Sequence, residues 1–577
     1  MLKLLPLLLL FFLIVLELWG QPKAPRTDHS PEKNSAARAK SVKKRPPRIR
    51  TIGVKVNELF PGQKGFAKDI ANALHIATRK SVIIRELLYK QGQRLNQRLI
   101  LESEKNLTVY LGFHLVKTHI RPVRGRNEVD IVIEIQDIWS IYTNVKLEGG
   151  GGNVEFNLTI GDKNFLGRNQ GLEFSFDRSK FHTHWKQSFK EPFFLGSRWR
   201  LREGVALYYD QDGEHIGEGM GLSLIYPLFS RARLWGFQLK LDYDRNHKYK
   251  ITGGSIDTVE VGPAGFQRSF DNKYQKKKLE LSCLLTRSFG FDVKHYLSAG
   301  LTLDRTGHTA VEEIPALYED GFADNVLPQN KKRNYLKLGY SLDTSHYIRV
   351  RNFFYLGRLE TYAIGFHFAT MVGFSRKSWW SDANSYLLNS FLRYSAFFAG
   401  NHILSLQLSG SSELFSDRGQ LNGLFSASFY YYIRNLPLGF FALRVRADLG
   451  ESLEMDNLFT MGSSTGLRGY PNDILEGNRR FFVNVEYRFD SIRLEVTRLG
   501  FLVFFDMGTA WFNTREPQTV NEHGLLPGRL YPAIGLGLRL SIPSLNPNIF
   551  RFDFGYSFGN RDMKFGNMFS FGYNHVF

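Results

Sequence analysis

The sequence predicts a small α+β module over residues 51–140 followed by an all-β, antiparallel transmembrane barrel over residues 141–577. Three observations carry this. From about residue 140 onward, segments of 8–12 residues alternate apolar and polar, broken by Gly, Asn, Asp and Ser clusters. The apolar positions are rich in Phe and Tyr (49 and 26 residues) and the polar ones are often charged. The chain opens on a secretion-type leader and ends on an aromatic strand: Phe569, Phe571, Tyr573, His575, Phe577. A soluble sandwich would hide its apolar face inside. A barrel in lipid reverses this, with apolar residues outward and charges toward the lumen. Period alone does not separate the two, and the leader and aromatic terminus decide for the barrel.

The first element is the leader. Lys3 precedes an apolar run over residues 4–16, too short to cross a bilayer as a helix. Residues 1–20 read as a signal peptide cut after Gly20, although Leu18 is a poor residue three before the cut. The alternative is an uncleaved anchor. Residues 21–50 hold ten Lys/Arg against two acids, are rich in Pro, Ser and Ala, and lack periodicity. They read as a disordered basic linker. A basic arm can touch anionic lipid, but a secreted chain has no nucleic acid to meet. The single Cys excludes an intramolecular disulfide. A mean hydropathy of −0.26 excludes a polytopic helical membrane protein.

The module comes next. Thr51–Phe60 alternates weakly, with Ile52, Val54 and Val56 on one face, and predicts a strand. Ser81–Tyr89 has helical spacing, with Ser81 as cap and Gly92 as terminator. Leu95–Leu111 predicts a second amphipathic helix with Leu99, Ile100, Leu107 and Leu111 as its apolar stripe, stopped by Gly112. His114–Val123 and Glu128–Ile135 are strands, the latter with Val129, Ile131, Ile133 and Ile135 on one face. Residues 61–78 read as an insertion between the first strand and first helix.

The remaining 437 residues form the barrel, which must close because an open edge would leave backbone groups unpaired in hydrocarbon. Strands of about ten residues with turns and long outer loops allow roughly 14 to 18 of them. Phe237, Leu239, Leu241 and Tyr243 alternate with Gln238, Lys240, Asp242 and Asp244, and Phe550–Phe558 alternates with Arg551, Asp553, Gly555 and Ser557. Late in the chain, Gly462–Pro471 precedes a strand, Phe481–Phe489, whose Asn484, Glu486 and Arg488 share a face. Phe504, Asp506 and Gly508 follow as F-x-D-x-G.

The β-α-α-β-β order of the module resembles a POTRA domain, a periplasmic unit that receives unfolded polypeptides. Leu467-Arg468-Gly469-Tyr470 resembles the [VI]-R-G-[FY] tip of the inward-folded sixth outer loop of the BamA/TamA family, with Leu467 as a conservative departure. The resemblance implies that Arg468 pairs with Asp506 and Glu486 on the inner wall, and that the barrel has sixteen strands. It extends to the first strands, Ile141–Gly152 and the Asp162–Gly167 stretch, where four glycines at 149–152 fit a weak first/last seam. Those glycines also suit a loose turn. Phe577 resembles the terminal signal by which outer-membrane barrels are recognised, a feature shared with porins. An arginine is suited to the task because it forks two hydrogen bonds to one carboxylate.

The resemblance implies an outer-membrane factor, its POTRA domain in the periplasm, that inserts or exports unfolded outer-membrane or secreted polypeptides. Its partners would be those chains, outer-membrane lipid and accessory assembly proteins, with no cofactor. Two rivals stand beside it: a two-partner-secretion exporter of one passenger, against which the single module and the basic arm argue, and a plain channel. An enzyme has one foothold, Gly462–Gly466, which matches G-x-S-x-G around Ser464. That elbow needs a strand before, a helix after and acid and His partners, and Leu-Arg-Gly-Tyr-Pro follows instead. The sequence shows no metal-ligand spacing and no P-loop, so it gives no catalytic and no metal-binding residue.

Overall fold

A computed structural model describes residues 45–57 and 76–573 apart from short internal stretches, the longest being 514–524 and 560–567. The leader, most of the basic linker, most of the 61–78 insertion and Phe577 lie outside the described residues.

The N-terminal module is a three-stranded sheet with two helices. Strand β1 (Arg48–Asn57) runs parallel to β3 (Glu128–Gln136), and β3 runs antiparallel to β2 (Leu115–Pro122), in the order β1-β3-β2. The alternation of β3 places Val129, Ile131, Ile133 and Ile135 in the core, none more than 4% exposed. They pack with Ile83, Leu87 and Tyr89 from the first helical region and Ile100 and Leu107 from the second. Helix α1 (Lys80–Glu86) is shorter than its periodicity suggests, and α2 spans Gln97–Val109. Ser81 is not the cap: Arg79 takes that position with no side-chain bond. The chain leaves helical geometry at Leu87, well before Gly92, because Leu87 and Tyr89 drop into the core from an extended segment. Burial of two large side chains outweighs the propensity of a short helix.

From Ile141 the chain closes into one antiparallel barrel. Twenty-two segments enter the ring. Two of them, His346–Arg351 and Ile492–Leu494, follow a wall strand and share its partner, which leaves twenty wall positions among the described residues. The expected sixteen is thus too few. Several connections at the end away from the module, where long loops were expected, are short, such as 210–214 and 376–384, so the same length makes more strands. The last described strand, Phe569–Tyr573, neighbours the first, Ile141–Gly150. Side chains sort as lipid demands. Phe550, Phe552, Phe554, Tyr556 and Phe558 are exposed on the outside, while Asp553 and Ser557 are buried inside. No described helix is long and apolar enough to cross a membrane.

Residues 47–577 form one compact unit, and the module is held to the barrel through three turns. At 166–169, Asn164 donates to Ile76 O and to Thr78 Oγ1, both at 3.0 Å, and Arg79 N donates to Gly167 O at 2.8 Å. Thr78 in turn donates twice to buried Asp137. At 192–199, Arg198 Nη2 donates to the carbonyls of Arg85 and Leu87, both at 2.9 Å, and pairs with Glu86. At 227–234, Asn106 donates to Phe229 O at 2.8 Å and Glu102 accepts from Ser230 and Arg231 N.

Among the described residues two segments enter the lumen. One is the loop between wall strands Gly439–Glu451 and Arg479–Phe489; the other is a hairpin, residues 346–364.

Candidate functional site

The inward loop stands on its own stem. Phe459–Met461 pairs antiparallel with Leu475–Gly477, carrying the tip over 462–474. A short 3-10 turn, Ser463–Thr465, is tied by Thr465 Oγ1, which accepts from Gly462 N at 2.8 Å. Gly466 (φ +115°) and Gly469 (φ +87°) then reverse the chain twice in the left-handed region, where a side chain would be strained. Between those reversals Arg468 is turned against the wall and is fully buried.

Each nitrogen of its guanidinium has a carboxylate partner. Nε donates to Asp506 Oδ2 at 2.7 Å and Nη2 to Asp506 Oδ1 at 2.8 Å, a bidentate fork. Nη1 donates to Glu486 Oε1 at 2.7 Å and lies 3.9 Å from Asp553 Oδ2. The backbone N of Arg468 adds a bond to Asp506 Oδ2 at 3.1 Å. The Phe504 ring lies 3.6 Å beneath the guanidinium carbon, which adds cation–π attraction. Asp506, Glu486, Asp553 and Asn484 are all at most 2% exposed. Burying so many charges is tolerable only because each is answered. Arg488 Nε donates to Glu486 Oε2 at 2.7 Å, Arg539 Nη1 donates to Asp553 Oδ1 at 2.7 Å, and Asn484 Nδ2 reaches both Asp506 Oδ1 and Gly466 O.

The neighbours of the motif explain its composition. Asp506 must sit on the lumen side of Thr497–Trp511, which fixes Phe504 and Gly508 on the same face. A Cβ on Gly508 would meet Met461 Cε at 2.7 Å and Phe482 Cβ at 2.8 Å. The Phe504 ring finds room over Gly535, whose Cβ would stand 2.3 Å from it. Leu467 and Tyr470 are fully buried with Met461, Ile474, Leu475, Phe482 and Tyr531. The Tyr470 hydroxyl is shared between Phe558 O at 2.6 Å and Pro532 O at 3.0 Å, so it reaches the two strands after Asp506.

The structure therefore brings Leu467, Arg468, Gly469, Tyr470, Glu486, Phe504, Asp506 and Gly508 into one cluster, while Phe577 lies outside the described residues. Asn484, Gly535, Arg539, Asp553 and Gly555 belong to the same cluster and carry no motif of their own. Their only sequence signal is the lumen-facing alternation. Ser464 is exposed on the 3-10 turn, where its backbone N donates to Asn472 Oδ1. Among the described residues no group of His, Cys, Asp and Glu could hold a metal ion.

Residues 399–577 match the Omp85 superfamily domain. No curated protein matches the chain. Similar solved structures include BamA from Haemophilus ducreyi lacking POTRA domains 1-3, at 13% identity over 91% of this chain and 84% of that one, TM-score 0.37. CdiB from Acinetobacter baumannii is 14% identical over 92% and 73%, TM-score 0.42. CdiB from Escherichia coli is 12% identical over 91% and 76%, TM-score 0.43.

Proposed function

We propose, with the Omp85 superfamily domain at residues 399–577 as premise, that this outer-membrane barrel protein inserts or exports unfolded polypeptides and that its N-terminal module is a periplasmic POTRA domain. The observation that carries this reading is the inward loop locked by Arg468 to Asp506 and Glu486 behind a folded N-terminal module, since a plain diffusion channel has no use for such a module. The module supports it: in the order β1-β3-β2, strand β2 is an edge to which an unfolded chain can add by backbone hydrogen bonds. The work is non-enzymatic and driven by the folding of the client, with lipid and accessory assembly proteins as further partners.

Depletion of the protein, followed by quantitative proteomics of outer membrane and culture medium, tests this. A broad fall in membrane barrels identifies general insertion. Loss of one secreted protein identifies dedicated export. No change in either would sink the reading.

A further inference from the structure

A ring of about twenty strands encloses more space than wall side chains can fill, so without inserted segments it is an aqueous channel. The inward loop fills the lumen from one end. The hairpin 346–364 occupies the other, near the short turns on the module's side.

The hairpin is built differently from the wall. Up to Asp343, and again from Gly365, the chain pairs with barrel strands. Between them, His346–Arg351 pairs only with Leu359–Ile364 among the described residues. The departure point is Thr344 against Gly365–Phe366. Thr344 N donates to Phe366 O at 2.9 Å, and Gly365 has φ +109° with a virtual Cβ 2.9 Å from Thr344 O, so glycine is required there. Beyond this point the hairpin is self-contained. The Glu360 carboxylate accepts from the backbone N of Phe353, Phe354 and Tyr355, and Asn352 Oδ1 accepts from Gly357 N.

Its contacts with the barrel are made by side chains. Val350 and Phe353, each 1% exposed, pack on Ile403, Tyr432 and Ala442, which lie on the lumen faces of three different wall strands. Phe353 meets the Tyr432 ring at 4.6 Å and Phe440 at 6.2 Å. Leu356 reaches farther, to Gly500, whose Cβ would stand 3.2 Å from it. The hairpin thus spans a chord of the lumen from its root to the strand that carries Asp506. The seat adjoins the loop site, because Arg488, which bonds Glu486, lies 5.5 Å over the Phe440 ring. At the root, Lys105 of the module lies 4.6 Å over the Tyr347 ring.

We propose that residues 346–364 are a gate of the barrel lumen: a rigid hairpin, pivoting at Thr344/Gly365, whose apolar tip seats Val350, Phe353 and Leu356 against the lumen wall and closes the module-side mouth. A preformed unit whose strand pairing is internal, and which is seated by side chains such as Val350, Phe353 and Leu356 with Ile348, Phe354 and Tyr362 beside them, can leave its seat without breaking any wall pairing.

The test is single-channel conductance of the full chain in planar bilayers. Two variants are compared with the parent: residues 346–364 replaced by an Asn-Gly turn, and the triple substitution Val350→Ala, Phe353→Ala, Leu356→Ala. Folding of each is read from heat-dependent mobility in detergent gels. The excision should raise conductance at least threefold, and the triple variant should flicker between the parent level and that higher one. Parental conductance in every variant that folds overturns the gate; should the excised chain not fold, the triple variant decides. Ion flow reads the lumen alone, so this outcome is separate from whether the protein handles polypeptides.

Discussion

Gly469 at the loop tip and Gly555 in the wall strand Asn546–Ser557 meet backbone to backbone. A Cβ on Gly469 would stand 2.7 Å from Gly555 O, and one on Gly555 would stand 2.9 Å from Gly469 N. The contact lets the tip lie flat on the wall, and that is what brings Arg468 within reach of Asp506. Each glycine is needed because the other strand's backbone occupies the space a methyl would take, and backbone cannot swing aside.

Gly555→Ala should therefore lift the tip. Overpacking costs about 1–3 kcal/mol, and Gly469→Ala should cost more because its φ of +87° adds strain. The temperature at which the folded band is lost in detergent gels should fall for both, and further for Gly469→Ala.

Arg468→Ala leaves Asp506 and Glu486 buried without their main partner, which costs about 3–5 kcal/mol at a site of this kind. Arg468→Lys should be nearly as damaging, because one ammonium cannot reproduce a fork to Asp506 plus a bond to Glu486. The double variant Arg468→Ala, Asp506→Ala should lose less than the two single losses added. Protease sensitivity of the loop checks all three, and additive losses would contradict a direct pair.

Ser464→Ala should change neither assembly nor client levels, since the Ser464 side chain is exposed and only its backbone is tied down. A loss of function there with an intact fold would revive the hydrolase reading.

Acid should loosen the N-terminal module. Hydrogen bonds from Arg50 and Thr51, and the charge of Arg50, hold Asp130 down to about 2. Bonds from Asn57, Lys55 and His119 hold Glu134 down to about 2. Both pKa values are depressed in the folded state, so the stabilisation is present above the unfolded carboxylate range, near 4, and is lost as pH falls toward about 2. Both pairs are partly solvent-exposed and screened, so the effect is modest. Hydrogen exchange of β1 and β3, corrected for intrinsic rates, should rise across that window, and Asp130→Asn with Glu134→Gln should flatten the dependence.

Much of this was legible in the sequence, for identifiable reasons. Lipid selects the outer face directly, so Phe550, Phe552 and Phe554 announce their orientation through period alone. Glu128–Gln136 did so through its run of isoleucines. Arg468, Asp506 and Glu486 were legible because they stand in ordered motifs. Gly555, Arg539 and Asp553 were not, because contacts across a lumen depend on strand number and stagger, which leave no local pattern. The strand count failed for a different reason: sixteen came from the resemblance, and connections such as 210–214 are short enough for the same length to make more strands. The hairpin 346–364 was not legible either, because its departure from the wall turns on one residue, Gly365.

The three turns that grip the module have a kinetic consequence. A domain on a slack tether samples a volume, and whatever it carries arrives at the barrel mouth only as often as the tether permits. Here Asn164, Arg198 and Phe229 make the module part of the rim. A strand added at its β2 edge would then be held at one bearing about the barrel axis, at an effective concentration set by geometry and indifferent to linker length.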